Sequence, residues 1–370
     1  MTERHVTGSR LRYVDNLRVA LTALVVVHHV AVTYGGIDAW YYFEPAEDAS
    51  GRLLDLMVAL DQAFFMGLFF LISGYFTPGA LDRKGGRAFF RDRLLRLGVP
   101  LLVFLVVLRP LVNFNAYPAV RAATGLPDVP YWLFYLLTWD PGPMWFVEVL
   151  LVFSAIYVVY RARGRRSPAG PAATPRAPGL RAVALFTLAL AVATFLWRFL
   201  VPVGLYVPVL GLPTPAYLPQ YAAMFAVGVA AHRRGWLEAL PRRAGWAGFA
   251  VAGVVTPLLA PFALGRAPGV WQSLALSTWE AVFAVGVSVG LLALFRERLD
   301  RQGPVSGFLS RHAYTVYFVH PVVLVGLSLA LAGFQAAAIW KFALVCLLAL
   351  PLCWGFAYLV RSLPYAKRVL

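Results

Sequence analysis

Ten long apolar stretches, joined by short polar segments, decide what this chain can become. They fall at residues 17–35, 53–76, 97–114, 144–160, 182–203, 216–231, 246–264, 271–295, 314–333 and 339–360. A helix needs roughly 20 apolar residues to cross the hydrocarbon core of a bilayer. Hydrophobic residues make up 60% of the chain and charged residues 14%, against about 45–50% and about 25% in an average soluble protein. That leaves too little polar surface to cover a water-soluble core, and a disordered chain has the opposite bias. The expected class is therefore all-α: a polytopic bundle of about ten transmembrane helices.

The first stretch follows basic residues, as a signal peptide would. Asp15, the His28–His29 pair within the stretch and the lack of an A-x-A cleavage site argue for a retained helix instead. The formal net charge of +16 has a topological cause. Basic residues crowd alternate segments, such as Arg83 to Arg96, Arg161 to Arg181 and Arg233 to Arg243. The first segment on the other side is acidic, with Asp38, Glu44, Glu47 and Asp48. This asymmetry places both termini in the cytoplasm, in what is expected to be a bacterial cell membrane. It accounts for the charge without a nucleic-acid partner.

Residues 1–370 are expected to form one membrane domain, interrupted only by an Arg-, Pro- and Ala-rich cytoplasmic linker at about 161–181 that resembles a disordered connector. The Pro-rich stretch 201–219 has room for a re-entrant segment, and 131–138 is too short to span. Cys346 and Cys353 lie about two turns apart on one helix and cannot pair. No spacing of Cys and His suggests a metal site.

Ionisable groups inside spans are costly and mark candidate sites. Arg109, Arg198 and Lys341 lie near span ends, where snorkelling into the headgroups is the simplest expectation. Arg18 and His29 are eleven residues apart, which on a helix brings them within roughly 20° of one face and about 16 Å apart along the axis. His28 points away from that stripe. Histidine is the usual general base when it is functional. Arg93 and Arg96 precede Gly98-Val-Pro100 and form a guanidinium pair suited to phosphate. The same pair also fits plain positive-inside charge. Glu148, Glu280 and His320 complete the set. A proton-coupled transporter or flippase using those three groups is the rival to an enzyme.

The motifs, taken in order, resemble the acyltransferase-3 family of integral-membrane acyltransferases. They are Tyr13-Val-Asp15-Asn-Leu17-Arg18 with His29, Phe64 to Ser73-Gly74-Tyr75-Phe76, Arg93-Leu-Leu-Arg96, Gly142-Pro-Met-Trp145-Phe-Val-Glu148, and His312 to His320-Pro321. The acidic loop and the Ser-Gly-Tyr-Phe stretch look most like a branch concerned with glucan biosynthesis. The resemblance implies transfer of an acetyl or similar acyl group from cytosolic acyl-CoA, with acetyl-CoA as the expected donor, to a hydroxyl of an extracytoplasmic glycan or other acceptor. It implies His29 as the essential histidine, serving as general base or acyl carrier, with Arg18 as its partner. It further implies Arg93 and Arg96 as holders of CoA phosphates, and Glu148 and His320 as further site residues, with no metal. Relatives often carry His where Asp61-Gln62 stand here. Backbone amides near Ser73-Gly74 are one expected place for an oxyanion stabiliser.

Overall fold

A computed structural model describes residues 11–38, 40–118, 121, 129–164, 175–207, 214–265 and 269–370. Among these, nine helical stretches are long and apolar enough to cross a membrane. They are α1 (Arg12–Tyr34), α2 (Ser50–Lys84), α3 (Gly86–Ala116) and α4–α5 (Tyr131–Arg163, whose parts are Tyr131–Leu137 and Trp145–Arg163). Then come α6 (Leu180–Trp197), α8 (Arg242–Ala263), α9 (Val270–Arg298), α10 (Pro304–Ala330) and α11 (Ala338–Ser362). The remaining apolar run forms α7 (Leu218–Arg234), a 17-residue helix. All ten runs thus fall on helices. The short segment 131–138 forms the stub α4, and a last turn, α12 (Ala366–Val369), closes the chain. The core of the expected linker, 165–174, and residues 208–213 of the Pro-rich stretch lie outside the described residues.

The helices α1, α2, α9 and α10 are buried over more than half of their apolar windows and form the centre. On α6 and α8 most of that window faces outward, with Leu185, Leu188, Val254 and Leu258 exposed. An apolar exterior of this kind is the signature of a lipid-facing surface. Within the centre, α2 and α7 meet backbone to backbone. A Cβ on Gly74 would stand 2.2 Å from the Phe225 carbonyl oxygen, and one on Gly228 would stand 2.0 Å from that of Leu71. Small residues are how membrane helices approach closely when water supplies no hydrophobic drive between them.

Two prolines unwind α3 locally. Leu94–Gly98 and Phe104–Leu108 are π-helical, ahead of Pro100 and Pro110. Pro100 has no N–H to offer the Arg96 carbonyl four residues back. That carbonyl instead accepts the Tyr314 hydroxyl of α10 at 2.9 Å. The unwound stretch thereby becomes a tie between two helices.

Snorkelling does not describe Arg109, Arg198 and Lys341. All three are buried and ion-paired: Arg109 with Asp140, Arg198 with Glu280, and Lys341 with Glu44. Loops and neighbouring helices supply the carboxylates, so the charges turn inward rather than towards headgroups. Arg198 also donates to Ser277, and Tyr217 donates to Glu280, which fastens α6 and α7 to α9.

Candidate active site

The site is assembled around the last turns of α1. The Nδ1 of His29 lies 2.8 Å from the Val25 carbonyl oxygen. A carbonyl only accepts, so Nδ1 carries the proton and Nε2 presents its lone pair. No described residue hydrogen-bonds that Nε2. His320 is fixed the same way by a different device. Pro321 falls within α10, and without an N–H it leaves the Tyr317 carbonyl unpaired in the helix ladder. His320 Nδ1 donates to that carbonyl at 2.7 Å, and its Nε2 is buried without a partner. The dipeptide His320-Pro321 thus sets its own tautomer.

The two imidazoles lie 5.0 Å apart, centroid to centroid. Trp40, from the loop between α1 and α2, covers both: its ring is 3.9 Å from that of His29 and stacks on His320 at 5.8 Å. His29 is half-buried and His320 fully so. Above them Tyr41 reaches over Gly142, whose φ of +51° already favours glycine. A Cβ there would stand 1.8 Å from the Tyr41 hydroxyl. Asp140 holds the same turn, accepting from the Gly142 N–H at 2.5 Å and pairing with Arg109. Tyr317 donates to the Pro143 carbonyl. The acidic loop is strapped down by Glu44 to Lys341, by Glu44 N–H to Thr33 at 2.9 Å, and by Asp48 to the Ala338 N–H at 2.9 Å.

At the opposite, basic end, Arg93 stands within electrostatic range of Arg18, Arg96 and Tyr314. Arg18 and Arg96 are exposed, and Arg93 is half-buried with its guanidinium over the Phe89 ring at 5.2 Å. Asp92 accepts from Lys84 at 2.8 Å and from Arg96 at 3.2 Å. Arg18 lies 3.8 Å from Asp15. Arg18, at the basic cluster, and His29, at the two-imidazole centre, therefore lie on one face of α1, about 16 Å apart by helix rise.

A family model described as an acyltransferase domain matches residues 11–358. The chain belongs to this family. Among curated relatives it is 27% identical over 175 residues to the glucans biosynthesis protein C of Salmonella schwarzengrund, which covers 45% of this chain and 44% of the relative. It is 28% identical over 156 residues to the Escherichia coli K12 protein of the same name, with 41% and 39% covered. The matched segment thus spans less than half the length of these relatives. No solved structure matches.

For a membrane acyltransferase of this family, the placement of the other sequence-selected residues matters. Glu148 lies in the first turn of α5 with its Oε2 buried and unpartnered, and no ion pair joins it to His29 or His320. His28 turns away from His29, edge-on at 5.4 Å, and faces buried Asp61 of α2 at 3.6 Å. Gln62, beside Asp61, donates to Tyr221 at 3.0 Å. The Ser73-Gly74 amides belong to the interior of the 35-residue α2, where the backbone is committed to the helix ladder and Gly74 abuts α7. They are not an oxyanion site. Among the described residues no group of three or more His, Cys, Asp or Glu side chains is arranged to hold a metal ion. Trp40 was missed in the sequence because the loop aromatics Trp40-Tyr41-Tyr42-Phe43 have no helical period to betray which of them faces a site. Only their place in the acidic loop set them apart.

Proposed function

We propose that the protein is an O-acyltransferase that moves an acetyl or similar group from cytosolic acyl-CoA to a hydroxyl of an extracytoplasmic glycan or related acceptor. The observation that carries this reading is the fixed tautomer of His29, with Nδ1–H on the Val25 carbonyl and Nε2 unoccupied. A lone pair so presented suits removal of a proton from an attacking hydroxyl. The acyl-carrier alternative uses the same Nε2 as nucleophile. His320 offers a second unoccupied lone pair beside it.

The basic cluster supports the choice of donor. Arg18, Arg93 and Arg96 form a field suited to the phosphates of a CoA nucleotide. The rise from Arg18 to His29 matches the reach of an extended pantetheine arm in order of magnitude. In this reading Arg93 and Arg96 hold phosphate, both termini are cytoplasmic, and the roof of Trp40, Tyr41 and the 138–143 turn faces the acceptor side of the cell membrane. The names of the two relatives support a glucan-like acceptor. Glu280, a group the transporter alternative requires, is tied to Arg198 and Tyr217.

Purified protein in nanodiscs, given acetyl-CoA and a glucan oligosaccharide, should release free CoA thiol and yield acetylated sugar. His29→Ala should remove that turnover and keep the fold. Absence of thiol release by the native protein, or full turnover by His29→Ala, overturns the reading.

A further inference from the structure

Attack on a thioester carbonyl drives its oxygen to an anion, and a water-poor site must supply donors aimed at that charge. The α2 backbone supplies none, and neither imidazole has a free N–H, since both Nδ1 protons go to carbonyls. One uncommitted donor lies against the base. The Nε1 of Trp40 is buried and has no hydrogen-bond partner. Leaving such a donor unsatisfied costs about 1–3 kcal/mol, which folded proteins rarely tolerate without a use for the group.

We propose that the indole Nε1–H of Trp40 is the oxyanion donor of the transfer reaction, a catalytic role that rests on the acyl-transfer reading above. Its ring centroid lies 3.9 Å from that of His29, so a thioester held for attack beside His29 also lies beside the indole. The group is preorganised. Its loop is tied to α1 through Glu44 and Thr33, to α2 through the Gly36 N–H on Asp55 at 2.7 Å, and to α11 through Glu44–Lys341 and Asp48–Ala338. Stacking on His320 fixes the ring plane.

The step balances as follows. The acceptor hydroxyl oxygen bonds to the thioester carbon while His29 Nε2 takes its proton. The carbonyl π pair moves onto oxygen, where the Trp40 N–H receives it. The pair returns as the C–S bond breaks, and the departing CoA thiolate takes the proton from His29. The products are an ester and free CoA thiol, with neutral His29 restored.

The test uses the full chain in nanodiscs and two replacements. Trp40→Phe keeps an aromatic ring and removes the N–H. Site-specific replacement of Trp40 by β-(3-benzothienyl)alanine keeps the bicyclic shape and puts sulfur where the N–H was, which guards against misfolding. Both should lower kcat about 10²-fold or more while leaving KM for acetyl-CoA within a factor of two. Both should also weaken binding of a trifluoromethyl ketone analogue of acetyl-CoA far more than binding of CoA itself. Turnover within twofold of native in either folded variant overturns the proposal, as does equal weakening of ketone and CoA. Failure of the acyl-transfer reading looks different: the native protein then neither binds the ketone nor releases thiol, and the proposal falls with it.

Discussion

His29 and His320 lie with ring centroids 5.0 Å apart, and among the described residues neither has a carboxylate within ion-pair distance. Their partners are main-chain carbonyls of their own helices. Such a carbonyl orients the ring and takes the Nδ1 proton without adding a charge. This differs from a histidine oriented by Asp, where the carboxylate also stabilises the imidazolium. His28, next in sequence, has the carboxylate instead.

The first prediction follows from that contrast. His29→Gln should lower acyl transfer by at least 10²-fold, in the range usual for loss of a general base. His28→Gln, which keeps a polar group facing Asp61, should cost less than tenfold. Both are measured as CoA thiol released with acceptor present. Equal losses would mean that the two histidines matter only through packing.

Much of this was legible beforehand. The ten apolar runs all became helices because span length and apolar density leave a bilayer-borne backbone no other way to satisfy its hydrogen bonds. The Arg18–His29 stripe survived because α1 is one unbroken helix. Arg93 and Arg96 were harder. Their spacing suggests helical neighbours, but Leu94–Gly98 is π-helical and widens the angle between them. Ion pairs such as Arg109–Asp140 span loops that carry no periodic signal, so the sequence suggests snorkelling where the fold provides a partner. Trp40 depends on the same loop geometry.

Arg93→Ala with Arg96→Ala should weaken acetyl-CoA binding at least tenfold, and salt should weaken the native protein in the same direction, since charge on phosphate is screened. Arg298→Ala, at the end of α9, is the matching control and should leave affinity unchanged. Isothermal titration in nanodiscs reads all three. Equal affinity in the double variant returns Arg93 and Arg96 to a purely topological role.

Pro321 gives a prediction with opposite signs on two readouts. Pro321→Ala restores a backbone N–H that competes with His320 Nδ1 for the Tyr317 carbonyl. The helix should gain stability, because an internal proline costs it about 3 kcal/mol, so the unfolding temperature should rise or hold. Turnover should fall several-fold as His320 loses its fixed orientation. A variant that is both more stable and fully active would separate His320 tautomer control from function.

Arg109 supports the roof over the histidines, and its loss should appear as both stability and activity. It is 1% exposed and pairs with Asp140 at 2.5 Å, while Asp140 also accepts from the Gly142 N–H beneath Tyr41. Removing one partner of a buried pair strands the other and costs about 3–5 kcal/mol. Asp140 is partly exposed, so water can reach the stranded carboxylate, and the lower end of that range is expected for Arg109→Leu. The double variant Arg109→Leu/Asp140→Asn removes both charges but keeps an acceptor for Gly142. It should recover at least half of the lost stability in thermal unfolding. Turnover should recover with it, because the turn that carries Pro143, and with it the Tyr317 hydroxyl beside His320, is held again. Stability that recovers without turnover would place Arg109 in the reaction itself rather than in its scaffold.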